Sequence, residues 1–594
     1  MTRDPTATRA RATRIGRYFE PPAWEWASAG AVGWWVRPGW RDILLGPDGL
    51  RLDQWRRAGR LRTIKAGPHR VVYRVELPEP YGPVFIKHFL VPNLRAILRQ
   101  WFRRGKGRNE AKRAERLASA GVPTITAVAL GEQRRRRFLF ENYLVTREIT
   151  GTRPLDAFVE RDLPALPSER RTRVRRLLAE TLGATTARLH EGGFLHADFH
   201  PGNLLVQLDA QDRPQFAMID LDALRVRPAV GEREAIANLA LLNHYFWIRS
   251  SRADRYRFLH AYVAARGWPQ DRLPALARAV EEHTRDWAER LWRRWGRRCL
   301  GDNKYFATFR GPHCWAVAAR DLAPATIHSL LHDPDTPFDQ PGARLLKNSR
   351  TTTVAEVILP VGGVPTRVIY KRFNRKKTLD PVYTLFRPSR AWRAWCNGQH
   401  LASRGIPTPR NLAVIGRTAT GRRLLPHQFW PHDTYLVTIK EEPSITVGDF
   451  VRTVLPTRDA AGRHAAIRRL VPALARLIRT LHERSLSHRD LKADNILIAS
   501  SDRDEEVRLS LIDLVGVRIE HPITRHHQVQ NLARLQLSLA SAPGRTRTDS
   551  LRFLRAYLPW ARIVDGSWKL LWRAIEAACR KKEDQNRRNN RLLS

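Results

Sequence analysis

The chain repeats itself, and that constrains its architecture more than any other feature. GFLHADFHPGNLLV at 193–206 is echoed by SLSHRDLKADNILI at 485–498. Upstream, VFIKHF around Lys87 pairs with VIYKRF around Lys371, and LASAGVPTI (117–125) pairs with LASRGIPTP (401–409). YLVT recurs at Tyr143 and Tyr435, AMIDLDALRV (217–226) returns as SLIDLVGVRI (510–519), and RADRYRFLHAY (252–262) as RTDSLRFLRAY (547–557). The order is kept throughout and the offset drifts only from 284 to 295 residues. Two homologous domains in tandem follow, and 594 residues are too many for one compact core. The expected division is a basic, Trp-rich segment at 1–40, a first domain at 41–305, a linker or lead-in at 306–340 and a second domain at 341–594. The turn-rich DPDTPFDQPG (333–342) marks the linker.

Each copy has the same expected order of elements. RVVYRVELP (70–78) and TTVAEVILP (352–360) alternate as strands do, and a Lys-bearing strand follows. A helical stretch then ends at Gly-Val-Pro or Gly-Ile-Pro, where Pro stops the helix. Apolar residues at 3/4 spacing from Val174 to Leu189 and from Ile467 to Leu481 predict two longer helices. Two short apolar strands joined by a polar turn come next, and the second ends on Asp220 in one copy and Asp513 in the other. Strands first and helices later give an α+β fold with a β-rich N-lobe and a helical C-lobe per copy.

Charge narrows the partners. The net charge is +46, yet only 14 of the 104 basic residues are lysine. Such a chain favours polyanionic surroundings: nucleic acid, anionic lipid headgroups or phosphorylated glycans. The charge is spread over both halves with no nucleic-acid-binding motif, so no nucleic-acid partner is expected. Four scattered cysteines with no CxxC pair exclude a disulfide framework and fit a reducing cytoplasm. No apolar core follows the basic N-terminus, so no secretory signal is expected. The first 40 residues combine Arg3, Arg9, Arg11, Arg14 and Arg17 with Trp24, Trp26, Trp34, Trp35 and Trp40. They suit either an anionic membrane interface, with peripheral association at its inner face, or a tail followed by Trp that packs into the core. WAERLWRRWGRR (287–298) has the same two readings, RRRR at 134–137 reads as a hairpin turn, and KKEDQNRRNNR (581–591) as a solvated tail.

The doubled loop reads H-x-D-x-x-x-x-N: His196, Asp198 and Asn203, then His488, Asp490 and Asn495. An Ile-Asp-Leu follows at 22 residues (Asp220) and 23 residues (Asp513). Phosphoryl transfer needs a carboxylate to orient and deprotonate the attacking hydroxyl, and an amide oxygen with a second carboxylate to hold magnesium against the triphosphate. A loop, a hairpin and a strand-end Asp bring three such oxygens to one point. Lys87 and Lys371, on earlier strands, would neutralise the non-transferring phosphates. His196 and His488 are expected to brace the loop through backbone hydrogen bonds.

With these residues in place, the chain resembles a tandem of the lipopolysaccharide kinase (Kdo/WaaP) family, a branch of the protein-kinase-like fold, over roughly 62–262 and 344–557. The resemblance implies ATP- and magnesium-dependent phosphorylation of sugar hydroxyls in the lipopolysaccharide core, with an anionic glycolipid or sugar as acceptor. By motif it implies that Lys87 and Lys371 contact the α/β-phosphates and that Asp198 and Asp490 are the bases. It implies that Asn203 with Asp220, and Asn495 with Asp513, hold magnesium. Glu110 could pair with Lys87 as the helix Glu does in kinases, whereas the matching place in the second copy is Ala394. Against that, the second copy reads HRDLKADN, and its Lys492 could meet the γ-phosphate where the first copy has His200. Neither copy has a full glycine-rich loop; KAGPHR (65–70) and KNSRTT (347–352) occupy that turn. The short span from Asp220 to Asn238, without Ala-Pro-Glu, argues against a protein substrate. Two alternatives stay open: a pseudokinase-like nucleotide- or glycan-binding protein, and a small-molecule kinase of the aminoglycoside/choline type.

Overall fold

The computed structural model describes residues 24–67, 69–90, 105–135, 138–374, 388–417, 433–499, 507–558 and 566–588. The basic stretch 1–23 lies outside them. The chain forms two compact units of mixed helix and sheet, Met1–Ala288 and Glu289–Ser594. The division falls inside one helix, Leu273–Arg298.

Unit 1 opens with strands β1 (Glu25–Ala29) and β2 (Val32–Val36), then β3 (Leu61–Gly67), β4 (Arg70–Val75), β5 (Val84–Leu90), β6 (Ala127–Arg135) and β7 (Phe138–Arg147). They form one antiparallel sheet in the order β1-β2-β6-β7-β5-β4-β3. In β5, Val84 and Ile86 are buried on one face, which places Lys87 on the other, opposite Val72 and Leu144. Helix α1 (Lys106–Ser119) buries Gly107, Glu110, Ala111, Ala114 and Leu117, a 3/4-spaced stripe that carries one carboxylate inward.

Helix α2 (Ser168–Glu191) buries Val174, Leu178, Leu182 and Leu189, each worth roughly 1.5–3 kcal/mol. It crosses close to α4 (Arg252–Ala265), the helix after α3 (Glu232–Trp247). A Cβ on Gly183 would meet the Phe258 carbonyl oxygen at 2.3 Å, so that crossing requires glycine. Four short strands follow α2: β8 (Phe194–His196), β9 (Leu204–Leu208), β10 (Pro214–Met218) and β11 (Leu224–Val226). They pair as β8 with β11 and β9 with β10.

Unit 2 has the same plan. Strands β12 (Phe306–Arg310), β13 (Cys314–Ala319), β14 (Arg344–Asn348), β15 (Thr352–Val361), β16 (Val364–Phe373), β17 (Asn411–Arg417) and β18 (Thr434–Ile439) take the equivalent order β12-β13-β17-β18-β16-β15-β14. Helix α7 (Arg390–Ser403) follows the Lys strand β16, after α5 (Leu273–Arg298) and α6 (Pro324–His332) in chain order. The long helix α8 (Ala460–Glu483) leads to β19 (Leu486–His488), β20 (Ile496–Ala499), β21 (Arg508–Leu511) and β22 (Val517–Ile519). Helices α9 (Arg525–Ser538), α10 (Arg547–Tyr557) and α11 (Trp568–Arg588) complete the unit.

Three expectations from sequence need correction. Residues 306–340 are not a linker, because β12, β13 and α6 lie there. All six residues of β13 are buried, since it is an inner strand between β12 and β17, and a strand buried on both faces shows no alternation to read. The turn at 333–342 is pinned as well: Asp335 accepts from Arg372 (2.9 Å), Arg417 (2.7 Å) and the Tyr435 hydroxyl (2.9 Å). The Trp-rich lead-in, set apart from the first domain in the expected division, is β1 and β2 of its sheet. The reading in which Trp packs into the core holds there, with Trp34 only 1% exposed against Tyr143 and the Arg108 guanidinium over Trp35. Residues 581–588 continue helix α11, whose Leu571, Ile575 and Cys579 are buried, so the stretch expected to be a solvated tail is helical that far. In 287–298, Trp292 is buried under the Arg404 guanidinium while Trp287 and Trp295 stay partly exposed.

Candidate active site

In unit 1 the doubled loop joins β8 to β9, and backbone bonds fix its two ends against the strand-end Asp. The Ile219 amide donates to the Asn203 carbonyl at 2.9 Å, which sets Asp220 beside Asn203. Asn203 Nδ2 donates to the Asp198 carbonyl at 2.9 Å. His196 is buried; the Asp198 amide donates to its Nδ1 (3.3 Å), leaving Nε2–H to donate to the Asp220 carbonyl (3.1 Å). It braces the loop, and burial holds it below the ordinary histidine range. The Asp198 carboxylate is 72% exposed, with His200 Nε2 at 3.5 Å from Oδ2. His200 Nδ1 accepts from the Gly202 amide, so the neutral ring carries its proton on Nε2.

Asp220 adopts the left-handed conformation (φ 55°), one that side-chain-bearing residues visit rarely and that recurs at functional sites. Lys87 Nζ pairs with the fully buried Glu110 carboxylate and lies 3.9 Å from Asp220 Oδ1. Arg70, the first residue of β4, reaches the same oxygen at 3.2 Å from the turn where a glycine-rich loop would lie. Burial opposes ionisation of Asp220, but Lys87 and Arg70 outweigh it and hold the carboxylate below its ordinary value.

Unit 2 reproduces the loop closely. The Ile512 amide donates to the Asn495 carbonyl (2.9 Å), Asn495 Nδ2 to the Asp490 carbonyl (2.8 Å) and the Asp490 amide to His488 Nδ1 (3.2 Å). Asp513 has φ 55°. The lysine differs. Ala394 stands on α7 where α1 has Glu110, 2% exposed beside Trp392 and Trp395, and Lys371 Nζ instead pairs with Asp513 Oδ1 at 3.0 Å. Burial again opposes ionisation of Asp513, and Lys371 outweighs it with help from His488 and Lys347. Asn495 Nδ2 also contacts Asp490 Oδ2 at 3.1 Å. Lys492 opens the short helical turn Ala493–Asn495, as His200 opens Pro201–Asn203.

Several supporting residues were not read from sequence. Asn238 donates to the His196 carbonyl (2.7 Å), and its Oδ1 meets His190 Nε2 (3.1 Å), whose Nδ1 contacts the Tyr262 hydroxyl (2.9 Å). Asn531, His482 and Tyr557 repeat this relay in unit 2, with the Asn531 side-chain Oδ1 accepting from the His488 amide. The repeated LHE before each loop and NLA after it were the signals that could have found them. Arg113 on α1 donates to the carbonyls of Leu221 and Asp222, and Asn397 on α7 to those of Leu514 and Val517. Arg70 had no sequence signal, because its role depends on a turn folding over Asp220.

The model of the lipopolysaccharide kinase (Kdo/WaaP) family matches residues 94–262 and 366–557, more than half of the chain. The chain belongs to the Kdo/WaaP lipopolysaccharide kinase family. Among curated relatives, a lipopolysaccharide core heptose(I) kinase WaaP of Pseudomonas aeruginosa is 32% identical over 163 residues, 26% of this chain and 58% of that protein. A protein of the same name from Escherichia coli is 27% identical over 25% of this chain and 57% of its own length. The chain thus spans little more than half the length of these relatives. A solved structure of WaaP in complex with acyl carrier protein aligns at 24% identity and a TM-score of 0.31, over 42% of this chain and 98% of that one. Kinases of this family use ATP and a divalent metal ion, and the donor set fits such an ion. Because Asn203 Nδ2 is the atom that donates to a carbonyl, its Oδ1 is left to ligate beside the Asp220 carboxylate. Among the described residues no cluster of three His, Cys, Asp or Glu competes for a metal, and no helix is long and apolar enough to cross a membrane.

Proposed function

We propose that this protein is an ATP-dependent kinase that phosphorylates a sugar hydroxyl of the lipopolysaccharide core or a related envelope glycolipid. Unit 1, a protein-kinase-like domain with ATP between its sheet and its helices, is the working site. The observation that carries this reading is the Lys87–Glu110 pair set 3.9 Å from Asp220. Glu110 fixes Lys87 where it can meet the non-transferring phosphates, and Asp220 is left to Arg70 rather than to the lysine.

The exposed Asp198 carboxylate orients the acceptor hydroxyl and takes its proton as the oxygen–phosphorus bond forms. The bond from the γ-phosphorus to the bridging oxygen breaks, and that oxygen leaves with the electron pair on ADP. Lys87, as a compact point charge, neutralises the α/β-phosphates. Asn203 Oδ1 and Asp220 would hold a divalent ion, magnesium by the oxygen chemistry of the set, which would supply charge neutralisation for the triphosphate. His196 keeps both carboxylates in register by binding the loop at the Asp198 amide and the Asp220 carbonyl. A glycolipid acceptor also implies work at the inner face of the membrane by peripheral association, in which the excess of basic residues assists.

A second reading applies to unit 2. Lys371 is engaged by Asp513 itself and, among the described residues, no helix carboxylate competes for it, which favours a half that binds nucleotide or glycan without transfer. The family relation turns the acceptor away from aminoglycoside- or choline-type small molecules. The test is transfer of labelled γ-phosphate from Mg-ATP into a glycolipid-enriched envelope extract by wild type, Asp198→Asn, Asp490→Asn and the double variant. Label lost with Asp198→Asn and kept with Asp490→Asn is the expected result. Loss with Asp490→Asn alone would reverse the assignment of the working half, and failure to bind ATP would remove the kinase reading.

A further inference from the structure

The two catalytic loops share a backbone but not a charge. In unit 2 the aspartate is flanked by Arg489 and followed by Lys492; in unit 1 the matching places hold Ala197 and His200. A third cation comes from α9. Asn531 and Ser538 on that helix both bind the loop, accepting from the His488 amide (2.9 Å) and the Ala493 amide (2.9 Å). Arg534 lies between them at i+3 from Asn531, on the helix face that these two bonds turn toward residues 488–493. The matching residue on α3 is Leu241, partly buried against the core of unit 1.

Arg534 is half-buried and makes no hydrogen bond or ion pair among the described residues. The other carboxylate of the loop, Asp494, is already held by Arg452 at 2.8 Å. Burial pushes the Arg534 guanidinium below its ordinary value, Asp490 pulls it back up, and Arg489 opposes it. A half-buried guanidinium facing one exposed carboxylate, with two further cations on the same loop, leaves net positive charge where an acceptor must approach.

We propose that the loop face of unit 2 receives an acceptor that already carries an anion beside its hydroxyl, a sugar phosphate or a sugar carboxylate, gripped by Arg534, Arg489 and Lys492. Unit 1, with Ala197, His200 and Leu241, takes a neutral acceptor site. Guanidinium groups suit this task because they meet two oxygens of a phosphate or carboxylate at once. The inference rests on the sugar-acceptor reading above and deepens it. A phosphorylated sugar is what a sugar kinase makes, so the product of unit 1 belongs to the class of ligand that unit 2 would hold, whether or not unit 2 transfers phosphate.

The test measures binding of three probes to the full chain with magnesium and a non-hydrolysable ATP analogue: a methyl heptoside, its phosphate monoester, and glucuronate. The charged sugars should bind about 10-fold tighter than the neutral one. Arg534→Leu, which installs the residue unit 1 carries, should erase that preference without changing nucleotide affinity, and Arg534→Lys should restore part of it. A phosphate preference without a glucuronate preference names the phosphate as the group; the reverse names the carboxylate. Equal binding of all three sugars, or a preference that survives both Arg534→Leu and Arg489→Ala, overturns the inference. Label transfer in the Asp198→Asn background separates the two claims. Transfer without charge preference removes the inference and keeps the kinase reading. Charge preference dependent on Arg534 without transfer keeps the inference and makes unit 2 a binding site.

Discussion

Replacing Glu110 by Gln should turn the first site into a copy of the second. Glu110 is fully buried and Lys87 is 14% exposed, so their pair is largely withdrawn from water. Removing one partner of a buried pair costs roughly 3–5 kcal/mol when the other is left alone. Lys87 would not be left alone, because Asp220 Oδ1 lies 3.9 Å away and can close to the 3.0 Å seen between Lys371 and Asp513. Recovering part of the loss leaves a net cost of about 2 kcal/mol, and a unit of this size melts about 4–8 °C lower for that change. The new contact also occupies Asp220 and withdraws Lys87 from the phosphates, so transfer should fall by roughly 10- to 100-fold, equivalent to about 1.4–2.7 kcal/mol of transition-state stabilisation. The assay is thermal unfolding together with phosphotransfer kinetics in the Asp490→Asn background, which leaves unit 1 as the only reporter. A variant that melts within 1 °C of its parent and retains transfer within about threefold would refute the reasoning.

Three further outcomes are expected. Asn238→Ala strips the His196 carbonyl and His190 Nε2 of buried partners, so urea unfolding of unit 1 should show a loss of about 2–4 kcal/mol, more than Asn243→Ala on the same helix. Burial lowers His190 and His482 to about 4 each, so the folded state binds fewer protons than the unfolded one between pH 4 and 6.5. Stability is complete above pH 6.5 and falls as pH drops toward 4, by up to about 3 kcal/mol per histidine, and unfolding midpoints compared at pH 7 and pH 5 should show it. Arg70→Ala frees Asp220 from a partly exposed ion pair, and the magnesium concentration for half-maximal transfer should drop by about two- to fivefold; a rise would assign Arg70 to the phosphates instead.

Much of the architecture was legible because it was written twice. The repeat located both Lys strands, both loops and both strand-end aspartates, and the missing helix carboxylate at Ala394 could be found by offset alone. The 3/4 spacing that predicts α2 and α8 is the stripe they bury. The first two strands of each sheet escaped notice. They differ between the copies, and β13, buried throughout, carries no alternating pattern.

What the amino-acid sequence determined by itself, then, was local: which residue types stand at which offsets, and which strand, helix or loop they enter, since periodicity and turn chemistry act over a few residues. What only the tertiary structure decided was which charges meet. Lys87 and Glu110 are 23 residues apart, Arg70 and Asp220 are 150 apart, and Lys371 and Asp513 are 142 apart. The same lysine faces a helix carboxylate in one unit and a strand-end aspartate in the other, and Arg534 acts on Asp490 from a helix more than forty residues further along the chain. Electrostatic energy depends on separation and burial in space, and neither can be counted along a sequence.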